Sequence, residues 1–403
     1  MPTDSTPVIL AAKRTPVGRF FGGLKGVHAP LLGSYAIAGL FAQTPKLQDE
    51  ALAGHVDEVI MGCVLQAGLG QNPARQAALK AGLPNTTSAQ TINKVCGSGL
   101  QAVMLAAQSI KAGDNQLVLA GGFENMTAAP YFARIRDGAG APKFGPATFE
   151  DHMQHDGLRC AFESCLMGNS ADHTAKQHNI TRDAQDRWAL RSHTLAAQAQ
   201  KSGYFTAEIQ PLTGEQTFDK KSPGLSADEG VRPDTTIESL TKLRPAFEKD
   251  GTVTAGNASQ ISDGGAAVAV ASLAKAEKLG LKPLAKVLAY HTSGVAPKDI
   301  FTAPGLAVPA VVAKAGLKLA DIDLFELNEA FAAQLLQNIH AAGIPEEKVN
   351  VAGGAIALGH PIGGSGARCL VTLIHQLIRT GGKHGVVALC LGGGNAVAMV
   401  IEV

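Results

Sequence analysis

Cys96 has the surroundings that most favour covalent chemistry. It lies between an extended apolar segment and a predicted helix, and Gly97, Ser98 and Gly99 follow it. A cysteine at a helix N-terminus is close to the positive end of the helix dipole and to free backbone N–H groups, and both favour the nucleophilic thiolate. The glycines allow a tight turn and close approach of a substrate. The alternative is a buried cysteine that acts as a small apolar side chain, which is the commoner role of cysteine.

His360 is a candidate general base in a second glycine-rich segment, 359–366. Pro361 keeps the histidine extended rather than helical, and an imidazole on such a loop can accept a proton near neutral pH. On local grounds alone, a histidine hydrogen-bonded to the backbone is the simpler interpretation, because the chain has 12 histidines.

Cys390 and Asn328 are ambiguous when each is considered by itself. Cys390 ends an apolar run before the glycines 392–394, which leave backbone N–H groups open to a ligand oxygen. The simpler interpretation is a core cysteine before a hairpin turn. Asn328 precedes an amphipathic segment, so it could cap a helix or hold a water molecule or a carbonyl oxygen.

A repeat along the chain connects these positions. Each half has an aspartate-led strand (57–60 and 321–325), a Gly-Ser-Gly turn (97–99 and 364–366), a helix, and a strand that ends in glycines. Four ordered features at similar spacing predict two similar halves whose glycine-rich turns face a shared site. Two thiols, an imidazole and oxyanion donors at one face indicate acyl transfer through a thioester.

The elements that must position these residues are strands and helices, because strand-like apolar runs alternate with helix-like runs along the sequence. We expect strands near 8–10, 58–61, 117–120 and 386–389, and helices over 100–111 and 368–379. This alternation predicts an α/β protein with mainly parallel sheets.

The segment 123–250 differs from the two halves, and we interpret it as an inserted loop or lid domain. It contains the glycine-rich run 138–142, a polar helical stretch over 169–201 within which we expect a helix to start at Thr181, and a loop-like run over 213–236. The first half then comprises 1–122 and 251–275, and the second half 276–403.

Composition limits the classes of partner. The chain has 403 residues, 45% of them hydrophobic, which is enough for two or three domains. Its 35 basic and 34 acidic residues give no reason to expect nucleic acid or an anionic membrane as partner. No run reaches membrane-spanning length and no secretory pattern is present, so we expect a cytoplasmic protein. The six cysteines form no Cys-x-x-Cys pair, so we expect no metal site.

The sequence resembles the thiolase family over essentially its full length. The ordered stretches that carry the resemblance are 12–18 (AKRTPVG), 93–101 (NKVCGSGLQ), 121–126 (GGFENM), 243–247 (LRPAF), 254–259 (TAGNAS), 328–332 (NEAFA), 353–361 (GGAIALGHP) and 390–394 (CLGGG). The resemblance implies two βαβαβαββ halves that form a layered α-β-α-β-α core, plus the inserted loop domain, assembled as a dimer or a tetramer. It also implies coenzyme A and acetyl-CoA as substrates, no tightly bound cofactor, and a role in lipid metabolism.

The resemblance implies a role for each candidate. Cys96 would be deprotonated by His360 and would accept an acyl group from an acyl-CoA. Cys390 would remove the α-proton of acetyl-CoA in synthesis or protonate the enolate in cleavage. His360 and a water held by Asn328 would stabilise the enolate oxygen, and the N–H groups of Cys96 and Gly392 would hold the thioester oxyanion.

Family analogy also places coenzyme A under the inserted domain. Ser259, Ala255 and Phe247 would line the pantetheine path, Arg232 would lie near the nucleotide end, and Met167 near the acyl group. Ordinary packing, or a solvated position for the arginine, is the alternative for each of them.

The Cys-Gly-Ser-Gly motif resembles the biosynthetic, acetoacetyl-CoA type of the family. Leu166 stands where many short-chain members carry histidine, and Asn395-Ala396 where Gln or Met and then Gly are usual. The alternatives are a broader-chain degradative 3-ketoacyl-CoA thiolase and a non-catalytic acyl-CoA-binding protein. A carrier-protein-dependent ketoacyl synthase fits less well because Cys390 takes the place of its second histidine or asparagine. A dinucleotide-dependent oxidoreductase also fits poorly, because no Gly-x-Gly-x-x-Gly follows the first strand.

Overall fold

Twelve strands and twelve α-helices follow one another in a computed structural model, which describes residues 4–135 and 144–403. The predicted glycine-rich run 138–142 lies outside the described residues. The strands are β1 (Pro7–Arg14), β2 (Gly18–Arg19), β3 (Glu58–Gly62), β4 (Ser88–Ile92), β5 (Leu117–Asn125), β6 (Tyr131–Phe132), β7 (Glu150–Asp151), β8 (Ser262–Ser272), β9 (Ala285–Gly294), β10 (Leu324–Leu327), β11 (His384–Leu391) and β12 (Asn395–Glu402). The helices are α1 (Ala29–Gln43), α2 (Pro45–Leu52), α3 (Pro73–Lys80), α4 (Ser98–Ala112), α5 (Met167–Gln177), α6 (Arg182–Lys201), α7 (Ile237–Thr241), α8 (Leu273–Leu279), α9 (Ala303–Lys314), α10 (Ala332–Ala342), α11 (Ala355–Leu358) and α12 (Ser365–Thr380).

The main sheet is built from two sets of strands, one from each half of the chain. Hydrogen bonding follows the order β10-β11-β12-β9-β1-β8-β5-β3-β4. In the part of the chain that the structure describes, the strand pairing that joins the two sets is that of Val8 and Ile9 in β1 with Lys286 and Ala285 in β9. Elsewhere both sets pack on the central helices α4 and α12, whose apolar side chains share one core cluster with them.

Each set of strands is covered on its other face by outer helices. In β5, Val118 and Ala120 join the cluster around α4 and α12, whereas Leu117 and Leu119 join the cluster of α1 and α3. Since successive side chains of a strand point to opposite faces, both faces of β5 are buried. Helices α9 and α10 cover the second set in the same way. The layers are therefore α-β-α-β-α, as expected.

The expectation of mainly parallel sheets is wrong. Strand β3 pairs parallel with β4 and β5, and β10 pairs parallel with β11. Strand β8 is antiparallel to β5 and β1, and β12 is antiparallel to β11 and β9. The reason is that β12 returns from β11 through the short turn 392–394, and a tight turn can join only antiparallel strands. In the first half, β8 occupies the matching place after the inserted segment.

The predicted local elements are confirmed with small changes of extent. The four expected strands lie within β1, β3, β5 and β11, and the two expected helices lie within α4 and α12. Thr181 caps α6 by accepting a hydrogen bond from the Ala184 N–H. The polar stretch over 169–201 contains most of α5 and all of α6. Strand β5 runs to Asn125, three residues beyond the expected end of the first half at 122.

The N-termini of α4 and α12 touch through the two Gly-Ser-Gly turns. A Cβ at Gly99 would lie 2.8 Å from the backbone nitrogen of Ala367, and a Cβ at Gly366 would overlap the backbone nitrogen of Leu100. Only glycine permits this approach. The repeat correctly predicted that these turns meet.

None of the described helices combines the length and the apolar character needed to cross a lipid bilayer.

Replacing Gly366 with alanine tests the helix contact. The added methyl has no space beside Leu100, so we expect the variant to lose stability by about 1–3 kcal/mol, which overpacking of a core typically costs. The measurement is the thermal unfolding midpoint by circular dichroism. Gly26→Ala is the matched control because its new Cβ would meet nothing closer than 3.9 Å. Equal midpoints for G366A and G26A would contradict the close approach.

Candidate active site

A strained turn presents Cys96 at the start of α4. Val95 has a φ of 47°, which a β-branched residue rarely adopts. Its N–H donates to the Asn93 side chain at 2.9 Å, and the Ser98 hydroxyl donates to its carbonyl at 2.6 Å. The same hydroxyl accepts from the Lys94 N–H at 2.8 Å. These bonds hold the turn in one conformation, with the thiol on the wall of a cavity.

The nucleophile turn packs directly on the turn that follows β11. A Cβ at Gly97 would overlap the Leu391 side chain, so glycine is required for the two turns to approach. Val95 lies 3.1 Å from the position of a Cβ at Gly392. The backbone N–H groups of Cys96 and Gly392 both point at the Cys96 sulfur. This contact therefore brings Cys390 and the proposed oxyanion donors to the nucleophile.

The protonation of the His360 ring follows from its neighbour Ser365. The Ser365 hydroxyl donates its single proton to the Pro361 carbonyl at 2.8 Å. At the 2.6 Å contact between His360 Nδ1 and Ser365 Oγ, the imidazole must then be the donor. The Nε2 atom consequently carries the lone pair, and it accepts from the Asn328 amide at 3.4 Å. His360 is thus held in the tautomer that a general base at Nε2 requires.

A buried carboxylate joins the histidine loop to the first half of the chain. Glu124 accepts hydrogen bonds from the N–H groups of Val64, Leu65 and Gly363 at 2.9–3.1 Å, and from the Cys63 thiol. Burial raises the pKa of Glu124 to about 7, against the lowering effect of these hydrogen bonds. The loop that carries His360 is therefore anchored across the interface between halves.

Asn328 lies behind His360 and does not line the cavity. It follows β10, and α10 is capped by Phe331, so the N-cap interpretation of Asn328 is wrong. Its Oδ1 lies 3.9 Å from the Cys369 sulfur, which in turn lies 2.9 Å from the Arg368 guanidinium. Since Oδ1 faces this thiol, the amide NH₂ is turned towards His360.

Burial makes the imidazole neutral and both thiols protonated. The pKa of His360 is lowered to about 3, chiefly by burial and further by the Arg368 charge. Burial raises the pKa of Cys96 to about 12, although two backbone N–H groups oppose it. Burial and the neighbouring Cys96 raise the pKa of Cys390 well above its usual value. This shift opposes the expected dipole-stabilised Cys96 thiolate, because burial raises the thiol pKa more than the two N–H groups lower it.

The cavity of about 620 Å³ brings nearly all the predicted site residues together. The predicted residues on its wall are Cys96, His360, Cys390, Gly392, Met167, Arg232, Phe247, Ala255 and Ser259. The exception is Asn328. A thiol, a basic nitrogen, a second thiol and two backbone donors on one cavity can together perform acyl transfer.

Several wall residues were missed by sequence reasoning. Arg19 and Phe20 directly follow the stretch 12–18, which was the signal that could have found them. Gln154, Gly157 and Leu158 come from a short helical segment in the inserted domain that has no distinctive motif. The missed residues also include Met126, Ile300, Phe301, Phe331 and Ile362.

Aromatic side chains form the wall near Cys390. The ring centroids of Phe247 and Phe331 lie 6.2 Å apart, and those of Phe301 and Phe331 lie 5.3 Å apart. A Cβ at Gly168 in α5 would overlap the Phe247 ring, so α5 packs closely over this wall. An apolar wall of this kind is suited to the uncharged part of a ligand.

Comparison with known proteins identifies the family. The model of the thiolase N-terminal domain matches residues 7–274, and the model of the thiolase C-terminal domain matches residues 281–403. The chain belongs to the thiolase family. It is 50% identical over 397 residues to an acetyl-CoA acetyltransferase of Escherichia coli, and 49% identical over 396 residues to one of Pseudomonas aeruginosa, with 98% of each chain covered.

A solved structure supports the same assignment. The crystal structure of Bacillus anthracis acetyl-CoA acetyltransferase is 41% identical, covers 100% of both chains and superimposes with a TM-score of 0.92. The predicted thiolase fold is therefore confirmed.

Ser365→Ala tests how the tautomer of His360 is held. Without the hydroxyl, the ring loses the acceptor that keeps the proton on Nδ1, so we expect the kcat of thiolysis to fall about tenfold to a hundredfold, within the contribution of a general base. KM should change little because Ser365 does not line the cavity. Ser365→Thr should restore most of the rate, and Ser109→Ala, which removes a similar helix hydroxyl from α4, should have no effect. A rise in KM alone would contradict this role.

The rate at which iodoacetamide alkylates Cys96 tests whether the Cys96 thiol and the His360 imidazole are both neutral in the free enzyme. With a thiol pKa of about 12, the thiolate fraction grows about tenfold per pH unit, so the rate should rise without a plateau from about pH 7 to about pH 10. Cys63 and Cys369, both 0% exposed, should react far more slowly because the reagent cannot reach them. Peptide mapping by mass spectrometry gives the three rates. A plateau near neutral pH would instead reveal a preformed thiolate–imidazolium pair.

Proposed function

We propose that this thiolase condenses two molecules of acetyl-CoA to acetoacetyl-CoA, and cleaves acetoacetyl-CoA with coenzyme A in the reverse direction. The observation that carries the proposal is that the thiols of Cys96 and Cys390 share one apolar cavity with the neutral, correctly oriented imidazole of His360. The names of the relatives from E. coli, P. aeruginosa and B. anthracis support acetyl-CoA as the donor.

The first half-reaction transfers an acyl group to Cys96. His360 Nε2 takes the thiol proton as the sulfur attacks the thioester carbonyl, so charge separates only while the bond forms. The N–H groups of Cys96 and Gly392 stabilise the resulting oxyanion. Collapse of this intermediate breaks the bond to the coenzyme A sulfur, and His360 returns the proton to that leaving thiolate.

The second half-reaction moves the α-proton of acetyl-CoA. In thiolysis, Cys390 donates its proton to the enolate that leaves, and its raised pKa keeps it in the protonated form that this step needs. In synthesis His360 takes the Cys390 proton, and the Cys390 thiolate removes the α-proton of acetyl-CoA. The enolate carbon then attacks the acetyl carbonyl on Cys96, the bond from that carbonyl to the Cys96 sulfur breaks, and the Cys96 thiolate regains a proton from His360. His360, protonated at this stage, stabilises the enolate oxygen. The water expected on Asn328 is not part of this proposal, because Asn328 lies behind His360 with its amide NH₂ turned towards the ring and does not line the cavity.

Coenzyme A is a substrate in this proposal, and no tightly bound cofactor or metal takes part in it. Phe247, Ala255 and Ser259 line the pantetheine path, Arg232 lies near the nucleotide and Met167 near the acyl group. The proposal is supported by the position of all five on the cavity wall.

The assembly and the setting of the enzyme are further proposals. Family resemblance supports a homodimer or a homotetramer, and β4 is an end strand of the main sheet, which is a type of edge that subunits can pair through. The balanced charge supports small-molecule partners rather than nucleic acid or membranes. The six unpaired cysteines support a reducing cytoplasm, where the enzyme would act in lipid metabolism.

A broader-chain degradative thiolase is the second candidate function. It is favoured by the apolar side chains around Cys96, among them Met126, Leu158 and Ile362, which could accommodate a longer acyl chain. Leu166 extends this apolar lining where a histidine is common in short-chain members.

Thiolysis assays separate these functions. We expect the enzyme to cleave acetoacetyl-CoA with coenzyme A faster than it cleaves 3-ketohexanoyl-CoA or 3-ketooctanoyl-CoA. The loss of the enolate absorbance of each substrate measures the rate. Cys96→Ala should abolish cleavage of all three while the circular dichroism spectrum stays native, because the acyl group then has no acceptor. Preference for the longer substrates would assign the degradative function. Unchanged turnover by C96A would refute the mechanism, and an inert wild type would indicate a binding protein.

A further inference from the structure

Two cysteines face each other across a short hairpin of the inserted segment, residues 158–167, which we call the cysteine hairpin. Arg159 and Leu166 form an antiparallel bridge, and the Cys160 N–H donates to the Cys165 carbonyl at 2.8 Å. Cys160 and Cys165 are therefore the next opposed pair towards the turn. Directly opposed residues of antiparallel strands project their side chains to the same side. Both cysteines are free thiols, and the proposed acyl transfer uses neither.

Each of these thiols has a weak hydrogen-bond partner of its own. The Cys160 sulfur accepts from the Glu163 N–H at 3.4 Å, and the Cys165 sulfur lies 3.7 Å from the Ser170 hydroxyl. Since a thiol is a weak donor and a weak acceptor, these contacts oppose the rotation of either side chain only slightly. Cys160 is buried and Cys165 is half-buried, so a small reagent reaches Cys165 first.

The spacing of the two cysteines suits a disulfide. The Cα atoms of a hydrogen-bonded cross-strand pair are typically about 5.5 Å apart, within the range of about 4.4–6.8 Å that disulfides span. The Cβ atoms of such a pair are about 4.5–5.5 Å apart, whereas those of a disulfide are about 3.5–4.5 Å apart. Formation of the bond would therefore draw the two strands together by roughly 1 Å.

The cysteine hairpin is also part of the catalytic cavity. Leu166 and Met167, at its end, line the cavity next to Cys165 in the chain. At its tip, a ring carbon of Phe162 lies 3.5 Å from the position of a Cβ at Gly393, in the turn that carries the proposed oxyanion donor. A shift of the strands would consequently displace both the cavity wall and this contact.

We infer that Cys160 and Cys165 form a reversible disulfide on reaction with a hydroperoxide, and that this disulfide lowers acyl-transfer activity by displacing the cavity wall. The site lies outside the proposed mechanism. Only its effect on activity rests on the proposed function, which supplies the reaction that is measured.

The oxidation balances with hydrogen peroxide as the two-electron oxidant. The Cys165 thiolate attacks one peroxide oxygen, the O–O bond breaks, and the departing hydroxide is protonated, which leaves a sulfenic acid on Cys165. The Cys160 thiolate then attacks the Cys165 sulfur, the S–O bond breaks, and a second hydroxide leaves and is protonated. The two protons come from the two thiols. Two thiols and one peroxide thus give one disulfide and two waters, and a dithiol reductant reverses the change.

Peptide mapping tests whether this bond forms. The protein is Cys96→Ala, which cannot form a disulfide between the two active-site cysteines. Trypsin cleavage after Arg159 and Lys176 places both hairpin cysteines in one peptide. After peroxide treatment we expect mass spectrometry to show that this peptide has lost two hydrogen atoms, and that dithiothreitol restores them. An unchanged peptide, or one that has only gained oxygen, would overturn the inference.

Kinetics test the effect of the bond on activity. For wild type we expect peroxide to lower kcat/KM for acetoacetyl-CoA about tenfold, within the roughly hundredfold that a misplacement of about 1 Å can cost, and dithiothreitol to restore it. Cys160→Ser and Cys165→Ser should keep the activity of reduced wild type before and after peroxide, because neither can form the bond. Cys63→Ala, which removes a buried thiol elsewhere, should respond to peroxide as wild type does, relative to its own reduced form.

The two measurements together decide between the site and the proposed function. An equal loss of activity in wild type and C165S would overturn the inference, because the oxidised group would then lie elsewhere. So would a wild type that forms the bond but keeps its activity. Mapping needs no turnover, so a linked pair in a protein that cleaves no thioester would uphold the disulfide and refute the proposed function. An active enzyme with an unchanged peptide would do the reverse.

Discussion

The contact between the N-termini of α4 and α12 is the constraint on which the rest of the site depends. Gly99 and Gly366 let the two helices meet at backbone distance. The serine between the glycines of each turn then holds a catalytic loop, since Ser98 donates to the Val95 carbonyl and Ser365 to the Pro361 carbonyl. The two halves therefore share one arrangement, in which the serine of the Gly-Ser-Gly turn holds the preceding loop. In the first half this places the Cys96 thiol, and in the second half the His360 imidazole.

Burial of this contact also sets the chemistry of the resting site. A Cys96 pKa of about 12 opposite a His360 pKa of about 3 disfavours any ion pair in the free enzyme. Charge has to develop as the thioester is attacked, and the N–H groups of Cys96 and Gly392 are already in place to stabilise it. Arg368 contributes to keeping the imidazole unprotonated, and its guanidinium donates a hydrogen bond to the Glu326 carboxyl at 2.9 Å.

The inserted segment completes the cavity and determines its mouth. Buried Arg14 in β1 pairs with Glu208 at 2.6 Å and Asp228 at 2.7 Å, so a first-half strand anchors the insertion from below. Leaving one of these charges unpaired would be costly, which makes the attachment specific. From this anchor the chain reaches Glu229 and Arg232 at the rim, while α5 covers the aromatic wall at Phe247.

The sequence by itself determined the repeat and the principal helices and strands, because glycine turns and hydrophobic periodicity are local properties. Its resemblance to the thiolases implied the layered fold and indicated Cys96, His360 and Cys390 as candidates. Only the tertiary structure decided that β8 and β12 run antiparallel to their neighbours, that Asn328 lies behind His360, and that the Cys96 pKa rises rather than falls. It also brought Arg19 to the cavity wall, where its backbone N–H donates to Glu229, 210 residues away along the chain. These features depend on burial and on contacts between groups that are distant in sequence. The local spacing of residues predicts neither.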